Sequence, residues 1–343
     1  MYTSFNQDYQ KVVEKSASEY TKDSKVETSS IVVEPYTSKI LAIIGGKDYA
    51  SSQFNRATQA NRQIGSTIKP LLYYLALENG FTPATTFLCE PTTFKLDDNS
   101  TYSPSNFNDK YAYKDVTLAQ AIAVSDNIFA VKTHLFLGTD NLASLIKKFG
   151  IKDVKANASL ALGTLNTNIY NLANMYNCLA SEGKYNHLYT IEKITNDDGK
   201  VLYQHEQEDK QLLEQDSCLE LSQLLTSTFN STFSTYLQAT MASYQLDNIN
   251  ACKTGSTDVD NLAVAYNPQV LVASWVGYDD NRKMETADDK TVAKKTVIDV
   301  LNYTNENKDV TWYQPTEDLQ QIAINPLTGD FDENGTVYWF KKD

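Results

Sequence analysis

Arg62-Gln63-Ile64-Gly65-Ser66-Thr67-Ile68-Lys69-Pro70 sets a serine and a lysine three positions apart at the head of an apolar run. Leu71, Leu72, Leu75 and Leu77, closed by Gly80, predict a helix. Residues three apart share a helix face, so Lys69 stands beside Ser66 one turn on. Pro70 fits, because a first-turn N–H has no intrahelical partner to lose. A serine hydroxyl is a weak nucleophile until a neighbouring base takes its proton. The free N–H groups of a helix start also favour a developing negative charge. The rival reading of Ser-x-x-Lys is an N-cap followed by a solvated lysine, and the pattern alone does not separate the two.

At 343 residues, with 41% hydrophobic and 21% charged residues, the chain can bury a sizeable core. Its formal net charge of −13 argues against nucleic acid or an anionic membrane surface as partner. Cys89, Cys178, Cys218 and Cys252 form no C-x-x-C pair, which argues against a zinc site or a disulfide framework and leaves one or two bridges open. His134, His187 and His205 have no metal-ligand spacing and read as surface or half-buried structural residues. No metal or cofactor is implied. The N-terminus has neither a basic start nor an apolar core, and no run approaches the roughly 20 apolar residues of a membrane span.

In chain order, residues 1–30 read as a polar helix or linker. Ser30–Glu34 and Ile40–Ile44 read as a hairpin ended by Gly45-Gly46. Residues 81–115 are rich in Thr, Pro, Asn and Asp and read as irregular surface. Helical patterns follow over 118–137, to either side of Ser125-Asp126-Asn127, and then near 139–149, 168–180 and 216–236. Ile191 to Tyr203 predicts a hairpin around Asp197-Asp198-Gly199. Strands are expected over 251–257, 262–266 and 270–278, then helical turns over 292–301 and a tail from 305. This order predicts one α+β unit over 31–304, in which strands from both chain ends share a sheet against a helical lobe. Residues 305–343 would pack on it or extend it.

Two further stretches carry chemistry. Ser125-Asp126-Asn127 offers a hydroxyl and a carboxamide between two helices, unless it is an ordinary N-cap cluster. Lys253-Thr254-Gly255-Ser256 offers a cation and two hydroxyls on a strand whose glycine lets a backbone approach; otherwise it is an exposed lysine beside a bulge. Together and in this order, the three match the S-x-x-K, S-D-N and K-T-G set. The chain resembles the transpeptidase domain of a bifunctional (class A) penicillin-binding protein, the kind of enzyme that cross-links bacterial peptidoglycan. Gly45-Gly46, Phe54-Asn55-Arg56-Ala57, Arg62-Gln63, Leu160-Ala161-Leu162-Gly163-Thr164 and Trp275-Val276-Gly277-Tyr278-Asp279-Asp280-Asn281 extend the likeness along nearly the whole chain.

The resemblance implies a penicillin-binding-protein or serine β-lactamase-like fold: an antiparallel sheet packed on helices, plus an all-helical lobe. It implies that Ser66 attacks the carbonyl between the terminal D-alanines of a stem peptide and that Lys69 accepts its proton. For that the Lys69 pKa would be depressed by desolvation and by Lys253. Ser125 would relay the proton to the leaving amine, and Asn127 would bind the peptide backbone. Lys253, Thr254 and Ser256 would hold the terminal carboxylate, with Gly255 keeping the strand open to substrate. The N–H groups of Ser66 and Ser256 would form the oxyanion hole, and β-lactams would acylate the same serine. The family's glycosyltransferase domain and membrane anchor are expected in a preceding part of the protein, which would act outside the cytoplasm among cell-wall machinery. Ser256 departs from a frequent threonine, and Leu262 from a frequent aromatic at the cleft floor. Rival functions are a D,D-carboxypeptidase, a serine β-lactamase or a non-catalytic β-lactam sensor. No Glu-x-x-x-Asn follows Ser125 to activate a water, and a sensor would need a membrane signalling segment.

Overall fold

The computed structural model describes residues 1–96, 99–208 and 210–342. The elements that place the site are, in chain order, α1 (Gln7–Tyr20), β1 (Glu27–Glu34), β2 (Lys39–Ile44), α2 (Lys69–Glu78), α3 (Leu118–Val124), α4 (Asn127–Leu137), α5 (Thr139–Lys148), α6 (Ile169–Ala180), α7 (Gln215–Leu225), β3 (Ala251–Ser256), β4 (Asp260–Asn267), β5 (Val270–Gly277), α8 (Val292–Asn307), β6 (Leu319–Ile324) and β7 (Thr336–Lys341).

The central sheet is antiparallel with order β3-β4-β5-β1-β2, so strands from both halves of the chain meet in it as expected. Period-two alternation sorts its side chains. Ile31, Val33, Leu262, Val264, Leu271 and Ala273 join the core of the helical lobe. Val32, Ala263, Ala265 and Val272 face α1 and α8. Both faces are covered, which is why β4 and β5 read as near-continuous apolar runs. α2 is apolar nearly all round and is buried accordingly. It packs with α4, α5 and α7 in the helical lobe, where Leu72, Phe129, Leu142 and Leu221 belong to one buried core.

The first thirty residues are built into this architecture. Asn6 caps α1 by accepting from the N–H groups of Asp8 and Tyr9. Tyr9 Oη and Thr304 Oγ1 are 3.0 Å apart, and Ser16 Oγ donates to Asp299 at 2.6 Å, which fastens α1 to α8. At the other end, β6 and β7 form a hairpin joined to α7 through Gln223, which donates to Val337 O and accepts from Trp339 N.

Three expectations need correction. Residues 81–115 contain short strands, Thr86–Leu88 paired with Asp115–Thr117 and Phe94–Lys95 paired with Thr101–Tyr102. The helix expected over 216–236 ends at Leu225 and continues as 3₁₀ turns. There Thr226 and Thr228 hydroxyls bond Gln223 O and Leu225 O, and Asn230 Oδ1 accepts from Thr232 N, so side chains compete with the helical ladder. His134 is fully buried, with Nε2 3.0 Å from Asn157 O. The cysteines, by contrast, follow the argument against a disulfide framework: all four are buried free thiols.

Candidate active site

Ser66 and Lys69 are related by a local detail absent from the sequence pattern. Gly65–Ile68 is a 3₁₀ turn leading into α2, and the Lys69 N–H bonds Ser66 O. A 3₁₀ turn eclipses residues i and i+3, which sets both side chains on one side. Ser66 is the second residue of this turn, whose N-cap is Ile64, and it is half-buried. Gly65 has φ +53°, and its N–H bonds Gly163 O at 3.1 Å. A Cβ at Gly65 would stand 2.7 Å from Ser256 O, so the approach of the two backbones requires glycine. Gly255 answers from β3: a Cβ there would lie 2.5 Å from Ile64 O.

Ser125 ends α3 in the left-handed region at φ +60°. The strain is held by bonds around it. Ser125 N and Asp126 N donate to Ile122 O and Ala121 O. The buried Asp126 carboxylate caps α4 by accepting from Phe129 N at 2.7 Å. Its other oxygen takes Asn106 Nδ2 at 2.6 Å and Tyr236 Oη at 2.8 Å. Asn106 Oδ1 accepts in turn from Asn127 N at 2.7 Å.

Lys69 is wholly buried, and its Nζ lies 2.8 Å from Ser125 O, 3.1 Å from Asp126 O, 2.7 Å from Asn127 Oδ1 and 3.3 Å from Ser125 Oγ. Lys253, also buried, reaches from β3 to the same Ser125 Oγ at 2.9 Å and to Thr254 O at 2.7 Å. Burial pulls Lys69 down to about 7, against the upward pull of the Asp126 carboxylate. Lys253 is held well below the ordinary range by burial first, then by Lys69 and Lys294. Desolvation is the expected cause for Lys69, but the repulsion between the two cations falls on Lys253.

The remaining motif residues lie on one strand. Thr254 and Gly255 are buried, and Ser256 is exposed with its hydroxyl donating to Asn261 Oδ1 at 2.7 Å. β3 is an edge strand, so one side of its backbone is free of the sheet and faces the Gly65 turn. Asn127 differs from a free carboxamide. Its Oδ1 takes Lys69 and its Nδ2 donates to Ser105 O at 2.7 Å, so a bound peptide would have to exchange with one of these.

All three motifs therefore converge. The arrangement holds a serine one 3₁₀ turn before a lysine whose pKa is near neutrality, a second hydroxyl shared by two lysines, and two backbones brought close by glycines. That set is suited to acyl transfer through a serine. The sequence reading missed Asn106, Ser105 and Tyr236, which hold the Ser125–Asn127 loop; the first two had as their signal a short polar cluster, Ser103-Pro104-Ser105-Asn106, and Tyr236 had none. Cavity size does not mark this site. A space of about 490 Å³ lies elsewhere, between α1 and residues 43–55.

Comparison with known proteins agrees with the geometry. A family model described as the penicillin binding protein transpeptidase domain matches residues 28–288. Penicillin-binding protein 2D of Bacillus subtilis is 37% identical over 334 residues, 96% of this chain and 48% of that protein. Penicillin-binding protein 1A of Aquifex aeolicus is 33% identical over 312 residues, 88% of this chain and 41% of that protein. The chain thus spans about half the length of the curated relatives it matches. Among solved structures, penicillin-binding protein 1A from Haemophilus influenzae superposes with a TM-score of 0.82 at 23% identity, over 92% of this chain and 53% of that one. The PonA1 protein of Mycobacterium tuberculosis gives 0.78 at 20% identity, over 96% and 89%.

Proposed function

This chain belongs to the penicillin-binding protein transpeptidase family, and from that premise we propose that it is a serine D,D-transpeptidase acting on peptidoglycan stem peptides. The observation that carries the proposal is the meeting on Ser125 Oγ of Lys253 and of Lys69, which itself stands one 3₁₀ turn after Ser66.

Ser66 Oγ attacks the carbonyl of the penultimate D-alanine while its proton passes to neutral Lys69 Nζ. The oxyanion is held by the N–H groups of Ser66 and Ser256, an effect on the order of 3 kcal/mol per donor. The C–N bond then breaks, and the proton moves from Lys69 through Ser125 Oγ to the leaving amine, so D-alanine departs neutral at nitrogen. Lys253, Thr254 and Ser256 bind the terminal carboxylate. Asn127 gives up its Ser105 or Lys69 bond to contact the peptide. The amine of a second stem peptide reverses these steps and completes the cross-link. β-Lactams enter by the same attack, and their ring-opened product stays on Ser66.

Among the described residues no helix is long and apolar enough to cross a membrane. In this reading the rest of the protein supplies a glycosyltransferase domain and an anchor, the domain works on the extracytoplasmic face of a bacterial membrane beside other wall-building proteins, and no cofactor takes part. The deciding experiment incubates the domain with a thioester stem-peptide analogue and a D-amino acid. Formation of the aminolysis product supports transpeptidation. Hydrolysis alone would make the chain a carboxypeptidase, rapid turnover of penicillin a β-lactamase, and stable acylation without any turnover a sensor.

A further inference from the structure

We propose that Arg62, Asp260 and Trp275 act as positioning residues that set the gap between the Ser66 and Ser256 backbone N–H groups. The proposal rests on the acyl-serine reading above.

Arg62 lies four residues before Ser66, and Asp260 four residues after Ser256. Arg62 Nε and Nη2 both donate to Asp260 Oδ1, at 2.9 and 2.6 Å, and Nη2 also reaches Tyr278 O at 3.1 Å. Trp275 Nε1 brings a third donor to the same carboxylate oxygen at 2.9 Å. The guanidinium carbon lies 5.4 Å from the Trp275 ring centroid. Asp260 is only 2% exposed and the Arg62 side chain 13%, so the ion pair is largely withdrawn from water.

Each partner is rigidly tied to one of the two N–H groups. On one side, Arg62 and Gln63 pair with Thr167 and Asn166. Ile64 N then bonds Leu165 O at 3.2 Å and Gly65 N bonds Gly163 O at 3.1 Å, leading straight to Ser66. On the other side, the turn from Ser256 to Asp260 is closed twice by Thr257. Its N–H bonds Asp260 O, and its Oγ1 accepts from Asp260 N, both at 2.9 Å. Ser256 pairs with Asn261, the next residue of β4. The ion pair is thus the side-chain link across the seam where Gly65 and Ser256 backbones touch.

A buried ion pair is a poor stabiliser compared with apolar packing of the same volume, so what this one contributes is geometry. Arginine's planar fork fixes direction in a way that a lysine's single ammonium does not. The sheet makes room for it: opposite Asp260 stands Gly277, where a Cβ would lie 2.7 Å from Asp260 Oδ1. An oxyanion hole is sensitive to such geometry because its donors act at hydrogen-bond range on a charge that exists only in the transition state.

The test uses the purified domain and three variants: Arg62→Lys, Asp260→Asn and Trp275→Phe. Acylation by a fluorescent penicillin is resolved into the affinity of the first complex and the rate constant for bond formation. The carbonyl stretch of the acyl-enzyme is read by isotope-edited infrared spectroscopy. Arg62→Lys and Asp260→Asn should lower the acylation rate constant on the order of tenfold or more, approaching the loss of one oxyanion donor. They should leave the initial affinity nearly unchanged and move the acyl carbonyl stretch to higher wavenumber. Trp275→Phe removes one N–H donor and keeps the ring; it should move both readouts the same way by less, and it carries the test if the other two fail to fold. Variants that melt earlier yet show the wild-type rate constant and stretch would overturn the clamp and leave a purely structural pair. Ser66→Ala separates the layers: labelling that survives it defeats the acyl-serine reading itself, whatever the clamp variants do.

Discussion

Lys253 Nζ lies 2.9 Å from Ser125 Oγ, a hydroxyl that Lys69 Nζ also approaches to 3.3 Å. Both amines are buried, and two ammonium ions converging on one small group repel. Each proton gained by one lysine makes the next harder to add to the other, so the two titrate as a coupled pair. In the proposed mechanism Lys69 is the neutral member that serves Ser66 as base, and Lys253 is the member that takes the proton when a carboxylate binds.

The first prediction concerns the acid limb of acylation. Lys69 is drawn down to about 7, and only the neutral amine can take the serine proton. The rate constant should rise with pH through a midpoint near that value and then level off. Asp126 pulls Lys69 upward, so Asp126→Asn should move the midpoint to lower pH. Stopped-flow acylation between acid and mildly alkaline pH measures both. A limb centred in the ordinary lysine range would remove Lys69 as the base.

Gly65→Ala should separate conformational strain from steric intrusion. A methyl group at φ +53° would press on Ser256 O from 2.7 Å and widen the seam between the two N–H donors. Acylation should fall on the order of a hundredfold, the scale of losing an oxyanion contact. Gly80 provides the control, since it has φ +83° and open space around it. Gly80→Ala should cost about 1 kcal/mol of stability and leave acylation unchanged. Equal kinetics in the two variants would show that the Gly65–Ser256 approach is irrelevant to the chemistry.

These contrasts mark what the sequence could and could not convey. Ser66 and Lys69 were legible because their relation is local, fixed by one helical turn. Strands β4 and β5 were legible because burial on both faces leaves continuous apolar runs between turn residues such as Asn267-Pro268-Gln269. The support of the Ser125 loop was not legible. Asn106 and Tyr236 come to Asp126 from stretches 20 residues before and 110 residues after it, and neither stretch has a period. The Arg62–Asp260 pair is hidden for the same reason. Lys69's true partners were hidden too, because an i+3 pattern shows which face a lysine shares but not which carbonyls it finds there.

A third prediction follows from the cysteines. Cys89, Cys178, Cys218 and Cys252 are all fully buried, and burial raises every one of their thiols. The thiolate is the reactive form, so the native domain should be inert to a thiol-reactive dye and should release four thiols on denaturation. Reducing agents should leave the melting temperature and the penicillin-labelling rate unchanged. Rapid native labelling of any cysteine, with no loss of structure, would contradict its placement in the core.

The last prediction tests the docking of the β6–β7 hairpin. Glu220 on α7 is 2% exposed, and its Oε2 has no hydrogen-bond partner among the described residues. Burial lifts its pKa to about 8; Glu214 and Asp216 add to the rise, and Lys341 opposes it. Lys341 is shared, since it also pairs with Glu78 at 2.8 Å and Glu214 at 3.3 Å. In the unfolded chain Glu220 would titrate near the usual 4.5. Between those values the folded state binds more protons than the unfolded one, so stability falls as pH rises. The contribution is complete below about 4.5 and lost once the pH passes about 8. Glu220→Gln keeps the shape and removes the charge. It should melt close to wild type at pH 5 and above it at pH 9, by about 2–4 °C for each kcal/mol relieved. Acylation per folded molecule should not change, because the residue lies outside the site. A melting difference that stays constant across this range would mean that Glu220 is hydrated or paired in solution, and that the hairpin does not seal it from water.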